Sequence, residues 1–90
     1  MEYKQLKTLF TRKGFTHKEL IREGDKAIYE QSKGKKIKMY EVVKIRRHDG
    51  YKLGEIYVEP SETYPSDSEW GTFGWTFNDL DLAKKKFNSI

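Results

Sequence analysis

Alternation of apolar and polar residues, the period of a β-strand, recurs along most of this chain. Between residues 37 and 48 the odd positions are Ile37, Met39, Glu41, Val43, Ile45 and Arg47, and the even ones are Lys38, Tyr40, Val42, Lys44, Arg46 and His48. Residues 51–58 alternate as well. The two runs flank Asp49-Gly50, a pair that favours a two-residue type I′ turn because both residues tolerate positive φ. Together they predict a hairpin with Val43 opposite Ile56, Ile45 opposite Gly54 and Glu41 opposite Val58 on a mainly apolar face. Val42 then meets Tyr57, Lys44 meets Glu55 and His48 meets Tyr51 on a mainly polar one.

Residues 26–32 read as another strand, joined to Ile37 through the short turn Lys33-Gly34-Lys35-Lys36. Residues 16–22 are ambiguous. Thr16 and Glu19 have capping-box spacing and Gly24 can end a helix, but only about two turns would fit. A strand entering a turn at Glu23-Gly24-Asp25 is the better reading. Residues 5–10 predict an edge strand, and the proline- and serine-rich stretch 59–69 predicts a loop. Residues 72–77 alternate strictly, with Phe73, Trp75 and Phe77 on one side, expected to pack beneath a helix. That helix is predicted over 79–88, with Asn78 as its N-cap. Leu80, Ala83, Lys84 and Phe87 share one of its faces, with acids in the first turn and lysines near the last. The face of Met39, Val43, Ile45, Ile56 and Val58 is its expected acceptor. The predicted fold class is α+β: an antiparallel β-meander of about 4–5 strands with one C-terminal α-helix packed on one face.

Ninety residues predict a single domain, 1–90, with a small core. The absence of cysteine removes disulfides, thiolate catalysis and Cys-ligated zinc, and suits a reducing compartment. No apolar run approaches the roughly 20 residues of a membrane span, and the N-terminal residues lack the apolar core of a secretory signal. A soluble cytoplasmic protein without membrane contact is expected. Charge is uneven: residues 1–58 hold 15 Lys/Arg against 8 Asp/Glu, and residues 59–90 hold 3 against 6.

That asymmetry brings in candidate chemistry. If the odd face of 37–48 is core, the even face presents cations with an interleaved ring. Lys35, Lys36, Lys38, Tyr40, Lys44 and Arg46 are then candidates to bind single-stranded nucleic acid, cations holding phosphate and Tyr40 stacking on bases. The competing reading is a solvated face that keeps the protein soluble, supported by Glu55 opposite Lys44. No ribonucleoprotein motif, helix-turn-helix spacing or zinc-finger pattern accompanies the cations. The alternative function is a protein–protein interaction module using Tyr64, Trp70 and the acidic loop 59–69, since tryptophan is enriched at binding hot spots. Trp70 could equally pin that loop to the body.

Catalysis is not expected. His17 and His48 stand apart in sequence and read as surface residues; the serines lack a nucleophile elbow. Glu59, Glu62, Asp67 and Glu69 are dense enough for weak cation binding, but they lack the calcium-loop pattern. Neither Lys13-Gly14 nor Lys33-Gly34-Lys35-Lys36 has P-loop spacing. No cofactor or metal is called for. An unpaired edge strand near the N-terminus offers a route to a homodimer.

Tyr40-Glu41-Val42, Tyr64-Pro65-Ser66, Trp70-Gly71, Gly74-Trp75 and a final helix with Ala83 and Phe87 form a further pattern. Over roughly the last 50 residues it resembles small uncharacterised proteins of bacteriophages and prophages, in which a tyrosine-proline loop runs into a tryptophan-glycine strand and a short helix. The resemblance implies a small cytosolic accessory protein in a bacterial host; under the protein-binding alternative its partner is a host or phage protein. It carries no catalytic residues.

Overall fold

Runs of consecutive buried residues mark the centre of the molecule. Ala27, Ile28 and Tyr29 are all fully buried, and so are Val42 and Val43. Successive side chains on a strand point to opposite faces, so these two strands are covered on both sides. The computed structural model describes residues 2–35 and 37–90. In chain order its strands are β1 (Leu9–Arg12), β2 (Phe15–Glu23), β3 (Lys26–Lys33), β4 (Ile37–Lys44), β5 (Arg46–His48), β6 (Tyr51–Leu53), β7 (Ile56–Val58), β8 (Ser61–Thr63) and β9 (Gly74–Phe77), followed by the helix α1 (Leu80–Ser89).

Five strands form the main sheet in the order β1-β2-β3-β4-β9, each pair antiparallel. This is the expected α+β architecture, an antiparallel sheet with a C-terminal helix on one face. Residues 16–22 are strand, and the turn at Glu23-Gly24-Asp25 leads directly into β3. The expected edge strand at 5–10 lies slightly later, as β1.

The hairpin at Asp49-Gly50 does not form. β4 is flanked by β3 on one side and β9 on the other, with Val43 opposite Ala27 and Gly74, so it has no edge left for residues 51–58. Those residues instead fold back on themselves. Tyr51 pairs with Val58 and Leu53 with Ile56, which puts the turn at Gly54-Glu55, where Gly54 takes a φ of 64°. The ladder of β5 with β8 pairs Arg46 with Thr63 and His48 with Ser61. Both ladders share one register, so residues 46–63 are a single two-stranded arm. It is interrupted where Asp49-Gly50 stands opposite Glu59-Pro60, and proline has no N–H to give a ladder. Gly50 serves close approach rather than the turn: a Cβ there would lie 2.7 Å from the Tyr57 hydroxyl and 3.0 Å from the Val58 carbonyl. The stretch 59–69 is therefore only partly loop, since it holds β8 and a short 3-10 turn, Asp67–Glu69.

The helix packs on the opposite face from the one expected. Ala83 and Phe87 bury against Ile28 and Val42, with Tyr40, Trp75, Phe77, Leu80 and Ile90 around them. Trp75 and Phe77 thus lie under the helix as expected. Phe73 does not; its ring carries the Arg46 guanidinium 3.7 Å from its centroid. The N-cap is Asp79, one residue later than Asn78, because Asp79 accepts from the N–H groups of Asp81 and Leu82 at 2.7 and 3.3 Å. At the other end Lys26 donates to the carbonyls of Phe87 and Ile90 at 2.8 and 3.3 Å, satisfying helix oxygens that lack an internal partner. Met39, Val43 and Ile45 belong to the other face. There Ala27, Tyr29, Val43 and Ile45 form a second cluster, covered by Leu6, Phe10, Tyr64 and Trp70.

Position 42 separates the two arrangements. Val42→Ala removes methyl groups from a fully buried site and should cost about 2 kcal/mol in urea denaturation; on an exposed sheet face the same change would be nearly neutral.

Candidate functional site

A carboxylate lies at the centre of the second face. Glu41 is buried, and three side chains from three elements converge on it. Its Oε1 lies 3.1 Å from His17 Nε2 and accepts the Tyr64 hydroxyl at 2.7 Å. Its Oε2 accepts from Thr76 Oγ1 at 3.4 Å. Thr76 in turn accepts the Trp70 indole N–H at 3.0 Å. The other ring nitrogen of His17 faces the Phe15 carbonyl at 3.1 Å, so both nitrogens meet oxygen. Far from being a surface residue, His17 is buried and stacked on Phe10, with centroids 5.0 Å apart and planes 7° from parallel. Burial, with Glu41 adding to it, pushes the Tyr64 phenol far above its usual range, so it stays a donor. Among the described residues, no buried side-chain nitrogen or oxygen is without a hydrogen-bond partner.

A cleft of about 370 Å³ opens above this network, lined by Arg12, Lys13, Phe15, His17, Gln31, Glu41, Asp67 and Trp70. Arg12 and Lys13 both pair with Asp67 across its mouth.

A second carboxylate, Glu62, fixes the base of the arm. Arg22 from β2 grips it bidentately at 2.8 and 2.7 Å, Arg47 from β5 adds a contact at 3.0 Å, and the Leu6 N–H donates at 3.0 Å. Arg47 also pairs with Asp25. Hydrogen bonds from Arg22, opposed by burial but reinforced by Leu6 and by both arginine charges, hold the Glu62 carboxyl at about 2. His48 lies on the same arm, between Ser61 Oγ at 2.7 Å and the Gly50 N–H at 3.2 Å.

Beyond this anchored base the arm is bare. Every residue from 51 to 57 is exposed. Four of them are large and hydrophobic: Tyr51, Leu53, Ile56 and Tyr57 stay 49%, 65%, 68% and 59% accessible. Sequence reasoning missed this surface because it paired the same residues with β4. The signal that could have found it is the consecutive apolar residues of β3 and β4, which mark strands too enclosed to lend an edge to another hairpin.

The sequence-predicted site residues are dispersed. Tyr40 is half-buried, packed against the helix core. Lys38 is exposed and lies 3.5 Å from Glu30; Arg46 pairs with Glu69 at 3.0 Å over Phe73. Lys35 and Lys44 are exposed, and Lys36 lies outside the described residues. Tyr64 and Trp70 are brought together, with ring centroids 6.2 Å apart, but Tyr64 is packed into the core and Trp70 forms part of the cleft wall, so the two do not make a projecting surface. Trp70 pins its loop: its ring sits so close to Gly74 that a Cβ there would lie 2.4 Å from it. The acids of 59–69 are drawn apart, Glu62 to Arg22 and Arg47, Asp67 to Arg12 and Lys13, and Glu69 to Arg46. Among the described residues, no group of three His, Cys, Asp or Glu is placed to hold a metal ion, and no helix is long and apolar enough to cross a membrane.

Compared with known protein families, curated proteins and solved structures, the chain matches none.

The two carboxylates give two expected outcomes. Glu62 is depressed below its unfolded value of about 4.5. Its contribution, on the order of 3 kcal/mol, is therefore present in full above pH ~5 and is lost as pH falls towards 2. Denaturant titrations across that range should show the loss, and Glu62→Gln should lower stability at neutral pH and flatten the acid limb. Tyr64→Phe leaves Glu41 short of one donor and should cost about 1–3 kcal/mol by the same measurement.

Proposed function

We propose that this protein acts by binding a partner protein through the tip of the arm, without catalysis. The observation that carries the reading is the exposure of Tyr51, Leu53, Ile56 and Tyr57 on a ribbon whose base is fixed by ion pairs to the buried Glu62. Leu53 and Ile56 are a cross-strand pair and Tyr51 pairs with Val58, so Tyr51, Leu53 and Ile56 share one face of the ribbon, while Tyr57, paired with Lys52, lies on the other. A small protein that leaves such a face in water gains nothing from it in its own fold, and clustered exposed apolar residues mark interaction surfaces.

Charge on the arm favours protein over nucleic acid. Residues 46–63 hold the cations Arg46, Arg47 and Lys52 against the acids Asp49, Glu55, Glu59 and Glu62, and both arginines are engaged by carboxylates. The nucleic-acid reading retains Lys35, Lys38 and Lys44 as exposed cations, but Tyr40 is half-buried against the helix cluster. The resemblance to phage proteins makes a host or phage protein the expected partner.

Site-specific photocrosslinking in cells making the protein tests this. A photoreactive residue at position 53 should yield discrete protein adducts that Ile56→Asp abolishes, whereas the same residue at position 84 on the helix should yield none. Ile56 is exposed, so Ile56→Asp should change stability by no more than about 0.5 kcal/mol. Absence of adducts from position 53 overturns the reading. So would salt-sensitive oligonucleotide binding lost in a Lys38→Ala, Lys44→Ala variant.

A further inference from the structure

The cleft over Glu41 is independent of the arm, and its lining has the chemistry of a ligand site. At the mouth, Arg12 and Lys13 converge on one carboxylate, that of Asp67. Arg12 is held there without Asp67: it donates to the Pro65 carbonyl at 3.2 Å, and its guanidinium lies 5.3 Å from the centroid of the Tyr64 ring. Its side chain is only 25% accessible, against 67% for Asp67. Lys13 occupies the tight turn between β1 and β2 with a φ of 55°, a left-handed conformation that residues other than glycine seldom adopt. That turn brings a second cation to the same mouth. Asp67 therefore fills an anion position beside a pre-placed Arg12, with the exposed Lys13 drawn to the same carboxylate, and being exposed it is cheaply exchanged, since surface ion pairs are weak.

Behind the mouth, Phe15 and Trp70 line the cleft, and Gln31 contributes an amide. Trp70 is fixed by its indole bond to Thr76 and by its packing on Gly74. Aromatic rings stack on any nucleobase, and a glutamine amide matches the paired donor and acceptor edge of adenine. A volume of about 370 Å³ lies in the range of small-ligand sites.

We propose that this cleft binds a nucleoside monophosphate of the adenine type, with the phosphate displacing Asp67 from Arg12 and Lys13 and the base lying against Trp70. Two tryptophans give two indole N–H signals by NMR, and Trp75, packed beneath the helix, supplies an internal control. Adenosine monophosphate should shift the Trp70 indole in a saturable manner and leave that of Trp75 in place. Adenosine alone and inorganic phosphate alone should each bind at least about tenfold more weakly, because each lacks half of the contacts. Lys13→Gly relieves the left-handed residue while removing the cation, so it should fold normally and bind about tenfold more weakly. Asp67→Asn removes the competing carboxylate and should bind more tightly. An unmoved Trp70 indole at millimolar nucleotide overturns the proposal. So does binding indifferent to Lys13→Gly, weaker binding by Asp67→Asn, or adenosine binding as well as its monophosphate.

Discussion

Glu62 is the point at which three separate stretches of chain become one object. Its two oxygens take hydrogen bonds from Arg22 on the sheet, Arg47 on the arm and the Leu6 N–H on the N-terminal segment, while Arg47 reaches on to Asp25 at the turn into β3. A buried carboxylate without partners would be expensive; one with this many donors is oriented by them and orients them in turn. The direction in which residues 46–63 leave the body follows from that constraint. So does the seating of the N-terminal segment, where Lys4 bridges to Ser61 and its N–H bonds the Pro60 carbonyl.

Glu41 does for the inside of the second face what Glu62 does for its edge. His17, Tyr64 and Thr76 come from β2, the chain after β8, and β9, and each reaches the same carboxylate. The rings of Phe10, Tyr29 and Tyr64 pack together beside this network, with Tyr64 meeting the other two edge-on at 5.3 Å. A polar network in so small a core is tolerated because every member is satisfied, and it costs the fold its freedom to slide. The cleft opens over this network, with His17 and Glu41 in its lining and Trp70 on its wall.

Much of the fold was legible from the residues because local chemistry and tertiary context agreed there. Glu23-Gly24-Asp25 made its turn, residues 16–22 took the extended form, and Ala83 and Phe87 buried the face of the helix that their spacing implied. The failures have one physical root. Asp49-Gly50 is a strong turn signal, but a turn forms only if its flanking strands are free to pair, and β4 was already taken on both edges. Once β4 is central, its even-numbered side is also core; Val42 lies beneath the helix, and Tyr40 packs against the same cluster. Tyr64, Trp70 and His17 were conspicuous by type, but nothing in their spacing could show that they share one carboxylate. That convergence depends on contacts between residues 17, 41 and 64, which periodicity does not encode.

The common register of the two arm ladders has a geometric consequence. Strands rise about 3.3 Å per residue and turn their side chains over at each step. Lengthening both sides of the ribbon by one residue would extend its reach yet rotate the greasy tip to the opposite side. Adding two to each side restores the original aspect about 7 Å further out. The distance this protein can span is thus quantised, and relatives with longer or shorter arms should differ by even increments per strand while the body beneath stays the same.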